Sequence, residues 1–332
     1  MISAFNGLDG LGSALFKTPR FVGSIVAFKA RPKPAGDLPM LRLPILCASV
    51  LALTACAAVP PNGGGSVQSA AVQAQHEGAL RAAIAGEHRD AAQRTRDAYR
   101  RPFETLSFWG LRPGMTVVEI GPGEGWWTEI LAPYAARTGG RYVMALSDTS
   151  NPAMSAAARQ RVDAFEARYR AKPELYGDFG RTAFGRQTGP FAPAGSVDMI
   201  LVARAFHNWA GQEGFTDKAM RDFASALKPG GVLAVEQHRL AAGQPERPQS
   251  GYVTEQYVID AAQRAGLVLD ARSELNANPK DDTDHPFGVW TLPPIRRSSA
   301  EAGKAPDPAF DRAAYDAIGE SDRMTLRFRK PG

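Results

Sequence analysis

The chain has 332 residues, 44% of them hydrophobic and 22% charged, with a formal net charge of +5. That is ample apolar content for a real core and an ordinary balance for a globular protein. The positive charge sits at one end: residues 1–56 hold six Lys/Arg and two acids, leaving 33 basic and 32 acidic residues in the remainder, so there is no electrostatic case for nucleic-acid binding. Both cysteines, Cys47 and Cys56, fall in the N-terminal apolar stretch, so beyond residue 56 there is no disulfide and no cysteine metal site. The five histidines (His76, His88, His207, His238 and His285) lack H-x-x-x-H or similar ligand spacing, which argues against a metal enzyme.

From Met40 the sequence reads MLRLPILCASVLALTACAAVP: a short region with Arg42, an apolar run from Leu43 to Leu53, then Leu53-Thr54-Ala55-Cys56. The run is too short, and too closely followed by PPNGGG, to predict a membrane-spanning helix. Its layout is that of a bacterial secretory signal, and L-T-A-C resembles the lipobox at which lipoprotein signals are cut before an acylated cysteine. The resemblance implies lipidation at Cys56. The plainer alternative is an uncleaved hydrophobic N-terminus. Four segments follow: 1–39 as an extension upstream of a true start at Met40, 40–56 as a lipoprotein-type signal peptide, 57–75 as a flexible Pro/Gly-rich tether, and 76–332 as the folded domain. This organisation predicts a membrane-attached protein of the bacterial cell envelope, facing the periplasm by its lipid anchor, or a cytoplasmic one if the leader is not processed.

From about His76 the pattern is helical, Ala- and Arg-rich, and interrupted at Pro102. A Pro-Gly turn then introduces the first β-branched run. Strands are predicted at Thr116–Ile120, Arg141–Leu146, Val197–Ala203, Val232–Glu236, Leu267–Ala271 and Met324–Arg329, with a weaker one at Thr182–Phe184. Helical segments separate them, and this alternation argues for an α/β fold with a mostly parallel sheet covered on both faces. Pro293 to about Ala313 is Pro/Ser/Ala-rich and charged, a surface excursion before the last strand.

The chemistry concentrates in VVEIGPGEGWWTEIL, Val117 to Leu131. A dinucleotide fold calls for G-x-G-x-x-G, whereas here Gly121, Gly123 and Gly125 alternate and two tryptophans follow. That spacing disfavours a nicotinamide-dependent oxidoreductase, and no P-loop Lys-Ser/Thr follows to support ATP hydrolysis. Glu119-x-Gly121-x-Gly123-x-Gly125 resembles motif I of the class I S-adenosylmethionine-dependent methyltransferases. Three further stretches resemble that superfamily in the right order: SVDMILVARAFHNW (Ser196–Trp209) its fourth strand, FASALKPGGVLAVE (Phe223–Glu236) the turn into its fifth, and YVIDAAQRAGLVLD (Tyr257–Asp270) the approach to its sixth. RRPFETLSFWGLRPGM, SELNANPKDDTDHP and SDRMTLRFRKP further resemble a bacterial family of methyltransferases, some with lipoprotein-type leaders.

The resemblance implies a Rossmann-like class I methyltransferase fold, a seven-stranded mostly parallel sheet with helices on both faces, and S-adenosyl-L-methionine as cofactor. Glu119, Gly121, Pro122, Gly123, Gly125, Trp126 and Asp148 are the implied cofactor-binding residues. The acid suits the ammonium of the methionine moiety, and glycines let backbone touch a ligand. Two departures stand out: Leu146 occupies the place of the acid that takes the ribose hydroxyls, with Asp148 two residues late and equally able to cap the next helix, and Gln187 is all that remains on the adenine side. His207 and Asn208 follow the fourth strand at the ligand-binding edge, so His207 is a candidate base or acceptor-orienting donor and Trp209 a candidate stacking platform. Glu236 and His238 are weaker candidates on the same edge. Asp281, Asp282, Asp284 and His285 read as a solvated acidic loop before a cation site. A periplasmic location conflicts with a cofactor made in the cytoplasm. Two functions therefore stand: a methyltransferase acting on a small-molecule or envelope-associated acceptor, and a non-catalytic binding or structural envelope protein on the same scaffold.

Overall fold

The computed structural model describes residues 64–332 apart from 302 and 306. Cys56, the signal peptide and the upstream extension lie outside the described residues. In chain order the elements are α1 (Gly64–Ile84), α2 (Ala91–Arg94), α3 (Asp97–Arg100), α4 (Pro102–Trp109), β1 (Thr116–Ile120), α5 (Thr128–Thr138), β2 (Arg141–Leu146), α6 (Ala156–Arg170), α7 (Pro173–Tyr176) and β3 (Gly180–Ala183). They continue with β4 (Val197–Ala203), α8 (Phe206–Ala210), α9 (Phe215–Ala226), β5 (Leu227–Leu240), β6 (Val253–Thr254), α10 (Glu255–Arg264), β7 (Val268–Ser273), α11 (Ala313–Ile318) and β8 (Arg323–Arg329). The segment expected to be a tether is helical from Gly64 onward. Pro102 opens α4 at its first turn, where its missing N–H costs nothing, so the helical stretch after His76 is four helices.

The main sheet runs β3-β2-β1-β4-β5-β8-β7, with β6 paired to β5 off this path. β3, β2, β1, β4 and β5 are parallel, and β8 is antiparallel to both β5 and β7. The order reverses between β1 and β4, where an open α/β sheet leaves a crevice at the carboxyl ends of its strands. Period-two alternation divides the core between the two faces. Val118, Ile120, Ile200, Val202, Leu233 and Val235 join the cluster under α9 and α10. Val117, Met144, Met199, Leu201 and Ala234 join the cluster under α1, α4 and α5. Glu119 shares the second face with Val117, so the strand that delivers the glycine turn must bury a carboxyl group.

Candidate active site

Three left-handed glycines shape the turn after β1: Gly121 (φ 60°), Gly123 (φ 61°) and Gly125 (φ 88°). Only glycine adopts such angles without a steric penalty. A Cβ at Gly121 or Gly123 would meet no atom within 4 Å, so both present bare backbone to open space. Gly125 differs, since a Cβ there would lie 1.9 Å from the Tyr169 hydroxyl. It is a packing glycine, closed by α6. Pro122 is buried between the two open glycines. Trp126 is also shut away, 2% exposed, with Nε1 donating to the Gln93 carbonyl at 2.9 Å. The ligand-facing backbone is thus narrower than the motif suggests, centred on Gly121 and Gly123.

Beneath the turn, Thr128 Oγ1 donates to Glu119 Oε2 at 2.8 Å, and the Tyr142 hydroxyl makes a short bond to the same oxygen. Oε1 has no hydrogen-bond partner among the described residues. Burial raises the Glu119 carboxyl to about 7, against the opposing pull of these two hydroxyls and of Arg204. Glu119 is therefore a strut between β1, β2 and α5 with one oxygen left over for the ammonium group expected there.

The nucleoside half of the site keeps the departures seen in the sequence. Leu146 is 6% exposed and packs in the core. Asp148 accepts from the Ser150 N–H (2.9 Å) and the Ser150 hydroxyl (2.6 Å), an Asx turn that holds its carboxyl below the usual range. Only Oδ1 is used, leaving Oδ2 for a hydroxyl ligand. Gln187 is exposed, and the adjoining Phe184 is buried in an aromatic cluster with Trp209, Phe215 and Phe223. Trp209 belongs to that cluster and is a core residue, not a stacking platform.

His207 lies at the carboxyl edge in α8, with Trp290 (ring centroids 5.9 Å) and His238 (5.8 Å) beside it. Asn208 is exposed one residue on. The tautomer of His207 follows from Gln237, whose Oε1 accepts from the Phe206 N–H while its Nε2 donates to the Gly251 carbonyl. With the amide so fixed, the second Gln237 Nε2 proton is shared between His207 Nδ1 at 3.3 Å and the His238 carbonyl at 3.4 Å, and donation to Nδ1 places the imidazole proton on Nε2. Burial pushes His207 down to about 4, so the ring is neutral at pH 7 and offers Nε2–H.

Sequence reasoning missed the largest polar feature of this edge. Glu236, on β5 opposite the last residue of β4, is fully buried, 2.9 Å from Arg323 Nη1, 3.9 Å from Arg204 Nη1, and accepts from Trp127 Nε1 at 3.3 Å. Glu320 meets Arg96, Arg100 and Arg323 at 2.6, 3.2 and 2.9 Å. Burial alone would raise Glu320, but Arg100, Arg323 and Arg96 together bring it down to about 2. Burial, with the charges of Arg204, Arg323 and Arg100, holds His238 well below its ordinary value. Only Glu236 and His238 of this group were singled out in the sequence, because an arginine in an exposed-looking pattern carries no mark of burial.

The acidic loop is more ordered than its composition suggests. Asp281 is buried and accepts from Tyr252 Oη, the Asp322 N–H, the Thr283 N–H and His285 Nε2. Asp282 and Asp284 stay exposed. Asp281, Asp282 and His285 come close enough to share an ion, yet Asp281 is already fully engaged in tying the loop down. The loop reaches the edge of the site through Tyr252, whose ring lies 6.1 Å from that of His238.

A family model described as a methyltransferase domain matches residues 91–275. No curated protein is significantly similar in sequence. Solved structures that resemble the chain include a S-adenosylmethionine-dependent methyltransferase from Aquifex aeolicus, with 20% identity, 54% of this chain and 86% of that one covered, and a TM-score of 0.40. Another from Mesorhizobium loti has 15% identity, 68% and 96% coverage and a TM-score of 0.40. The [4+2]-cyclase SpnF has 16% identity, 79% and 95% coverage and a TM-score of 0.44.

Proposed function

Since the chain belongs to the methyltransferase domain family, we propose that it is an envelope-anchored enzyme that methylates a small or envelope-associated acceptor. S-adenosylmethionine is the methyl donor. The observation that carries this reading is the pair of open left-handed glycines, Gly121 and Gly123, at the point where the strand order reverses. The donor supplies an electrophilic methyl on a sulfonium, and the transfer is an in-line displacement in which alignment does much of the work. Gly121 and Gly123 give backbone contact to the donor's amino-acid end, Glu119 Oε1 an acceptor for its ammonium, and Asp148 Oδ2 an acceptor for a ribose hydroxyl. His207 Nε2–H would orient the methyl acceptor.

Envelope anchoring rests on the sequence around Cys56, and among the described residues no helix is long and apolar enough to cross a membrane. The second reading, a non-catalytic envelope protein on this scaffold, draws on the buried Leu146 in place of an acid and on Asp148 being half committed to Ser150. Calorimetric titration of S-adenosylmethionine and S-adenosylhomocysteine into the detergent-solubilised full-length chain separates the two. Micromolar binding that Gly123→Val abolishes supports the enzyme. A folded protein that binds neither compound leaves the scaffold reading.

A further inference from the structure

The polar cluster over the end of β4 and the facing part of β5 contains more positive than negative charge. Arg96, Arg100, Arg204 and Arg323 face two carboxylates, Glu236 and Glu320. The nearby Glu119 is half neutralised by its burial, and His207 and His238 are neutral. A guanidinium taken out of water needs its hydrogen bonds made, because each unmade one carries the full desolvation cost. Arg323 meets this in part, through hydrogen bonds to Glu320 and the Tyr99 carbonyl and an ion pair 2.9 Å from Glu236, while its Nε and the facing Glu236 Oε1 lack a hydrogen bond. Arg100 meets less of it. It is 0% exposed and uses only Nε, toward Glu320, while Nη1 and Nη2 are sealed from solvent without a partner. Nη1 of Arg204 is sealed and unpartnered as well, its nearest carboxylate oxygen 3.9 Å away.

Arg204 is also a backbone outlier, at φ 54° in the left-handed region that non-glycine residues rarely occupy. Such strain persists where the surrounding fold imposes it, here through the Arg204 N–H to Glu236 carbonyl bond of 2.7 Å. The strained residue holds its side chain over the cluster, where its charge is the strongest among those acting on Arg100. The cluster adjoins the glycine turn: Arg100 lies 4.8 Å above the Trp126 ring, and Trp127 bonds Glu236.

We propose that Arg100 and Arg204 form a buried subsite for a carboxylate group of a molecule bound at this edge. The planar fork of a guanidinium matches a carboxylate with two parallel hydrogen bonds, and one such anion engages the nitrogens that now lack partners while offsetting the excess charge. That the molecule is the methyl acceptor or the donor rests on the methyltransferase reading. Position favours the acceptor, since the cluster lies over β4 and β5 whereas the glycine turn belongs to β1.

The test uses the full-length chain and its Arg204→Gln and Arg100→Gln variants, the first being the less buried and the safer to fold. Thermal melting is followed in sodium acetate, sodium phosphate and sodium chloride at equal ionic strength. The expected result is a saturable rise in Tm with acetate over chloride in the wild type, absent in Arg204→Gln, with the unliganded variant melting no lower than wild type. In parallel, S-adenosylmethionine is compared with its decarboxylated analogue. Binding within a few-fold of each other assigns the carboxylate to the acceptor. A loss of roughly tenfold to a hundredfold for the analogue, absent in Arg204→Gln, assigns it to the donor. Acetate inert while the two donor forms bind alike, a response to phosphate alone, or a lower-melting Arg204→Gln that still responds to acetate each overturns the subsite. An acetate response without any binding of S-adenosylmethionine keeps the subsite and removes the methyltransferase reading, so the two fail separately.

Discussion

Replacing Glu119 with Gln converts a buried titrating group into a fixed neutral one of the same shape. In the fold the Glu119 carboxyl moves from an ordinary 4.5 to about 7, burial being the largest cause. Between these two values the folded chain holds a proton that the unfolded chain has released, so folding stability falls as pH rises through the window and levels off above it. The displacement corresponds to about 3 kcal/mol. The wild-type curve alone will not display it, because His76, His88, His207 and His238 are all lowered, chiefly by burial. They take up protons more readily when unfolded and so add stability as pH rises toward their ordinary 6.5, the opposite slope. The difference between Glu119→Gln and wild type cancels the histidines. Urea unfolding at half-unit steps from pH 4.5 to 8.5 should show the two proteins nearly equal at the acid end. The variant should gain progressively, by about 3 kcal/mol at pH 8. A pH-independent difference, or a wild type that becomes the more stable partner above pH 7, would refute the argument that the carboxyl is buried at a net cost.

Gly123→Val should leave a folded protein, destabilised by roughly 1–2 kcal/mol for its left-handed backbone, while losing S-adenosylmethionine binding in calorimetry. Gly125→Ala should do the reverse, lowering Tm because its Cβ displaces Tyr169, with donor affinity in the surviving folded fraction changed far less. Glu320→Gln leaves Arg96 and Arg100 without their carboxylate and should cost about 3–5 kcal/mol in chemical denaturation. Since Glu320 sits at about 2 in the fold, its contribution should be complete above pH 4.5 and vanish as pH falls toward 2. The His207 ring followed by NMR should titrate near 4, and a midpoint near 6.5 would show that the ring is not buried against Gln237 and Trp290.

The sequence by itself determined what depends on neighbours along the chain. β1, β2 and β4 have the bounds their β-branched runs predict, and β8 differs by a single residue. The alternating glycines marked the turn at Gly121 and Gly123, because spacing and left-handed backbone are local properties. Limits of local reading account for three differences. β5 extends from Leu227 to Leu240 because β8, distant in sequence, continues the ladder to His238 and β6 pairs with the end. β6 is two residues, too short for any period to register. Helix α1 begins in a stretch whose Gly and Ser content reads as tether, although the same chain from Leu80 onward buries apolar side chains against α5.

Only the tertiary structure decided which charges are inside. Arg100, Arg204 and Glu320 belong to three separate stretches of chain, and nothing in their flanking residues distinguishes them from solvent-facing charges. Burial of an ion depends on partners brought from elsewhere, since an unpaired one would be expelled to water. The hydrogen bonding of the His207 ring was likewise set from outside its own segment, by Gln237 on β5, whose amide is locked by Phe206 and Gly251. Periodicity and turn chemistry are written into short stretches, whereas protonation, tautomer and charge balance are set by packing, where water is excluded and each polar atom depends on whatever the fold has placed beside it.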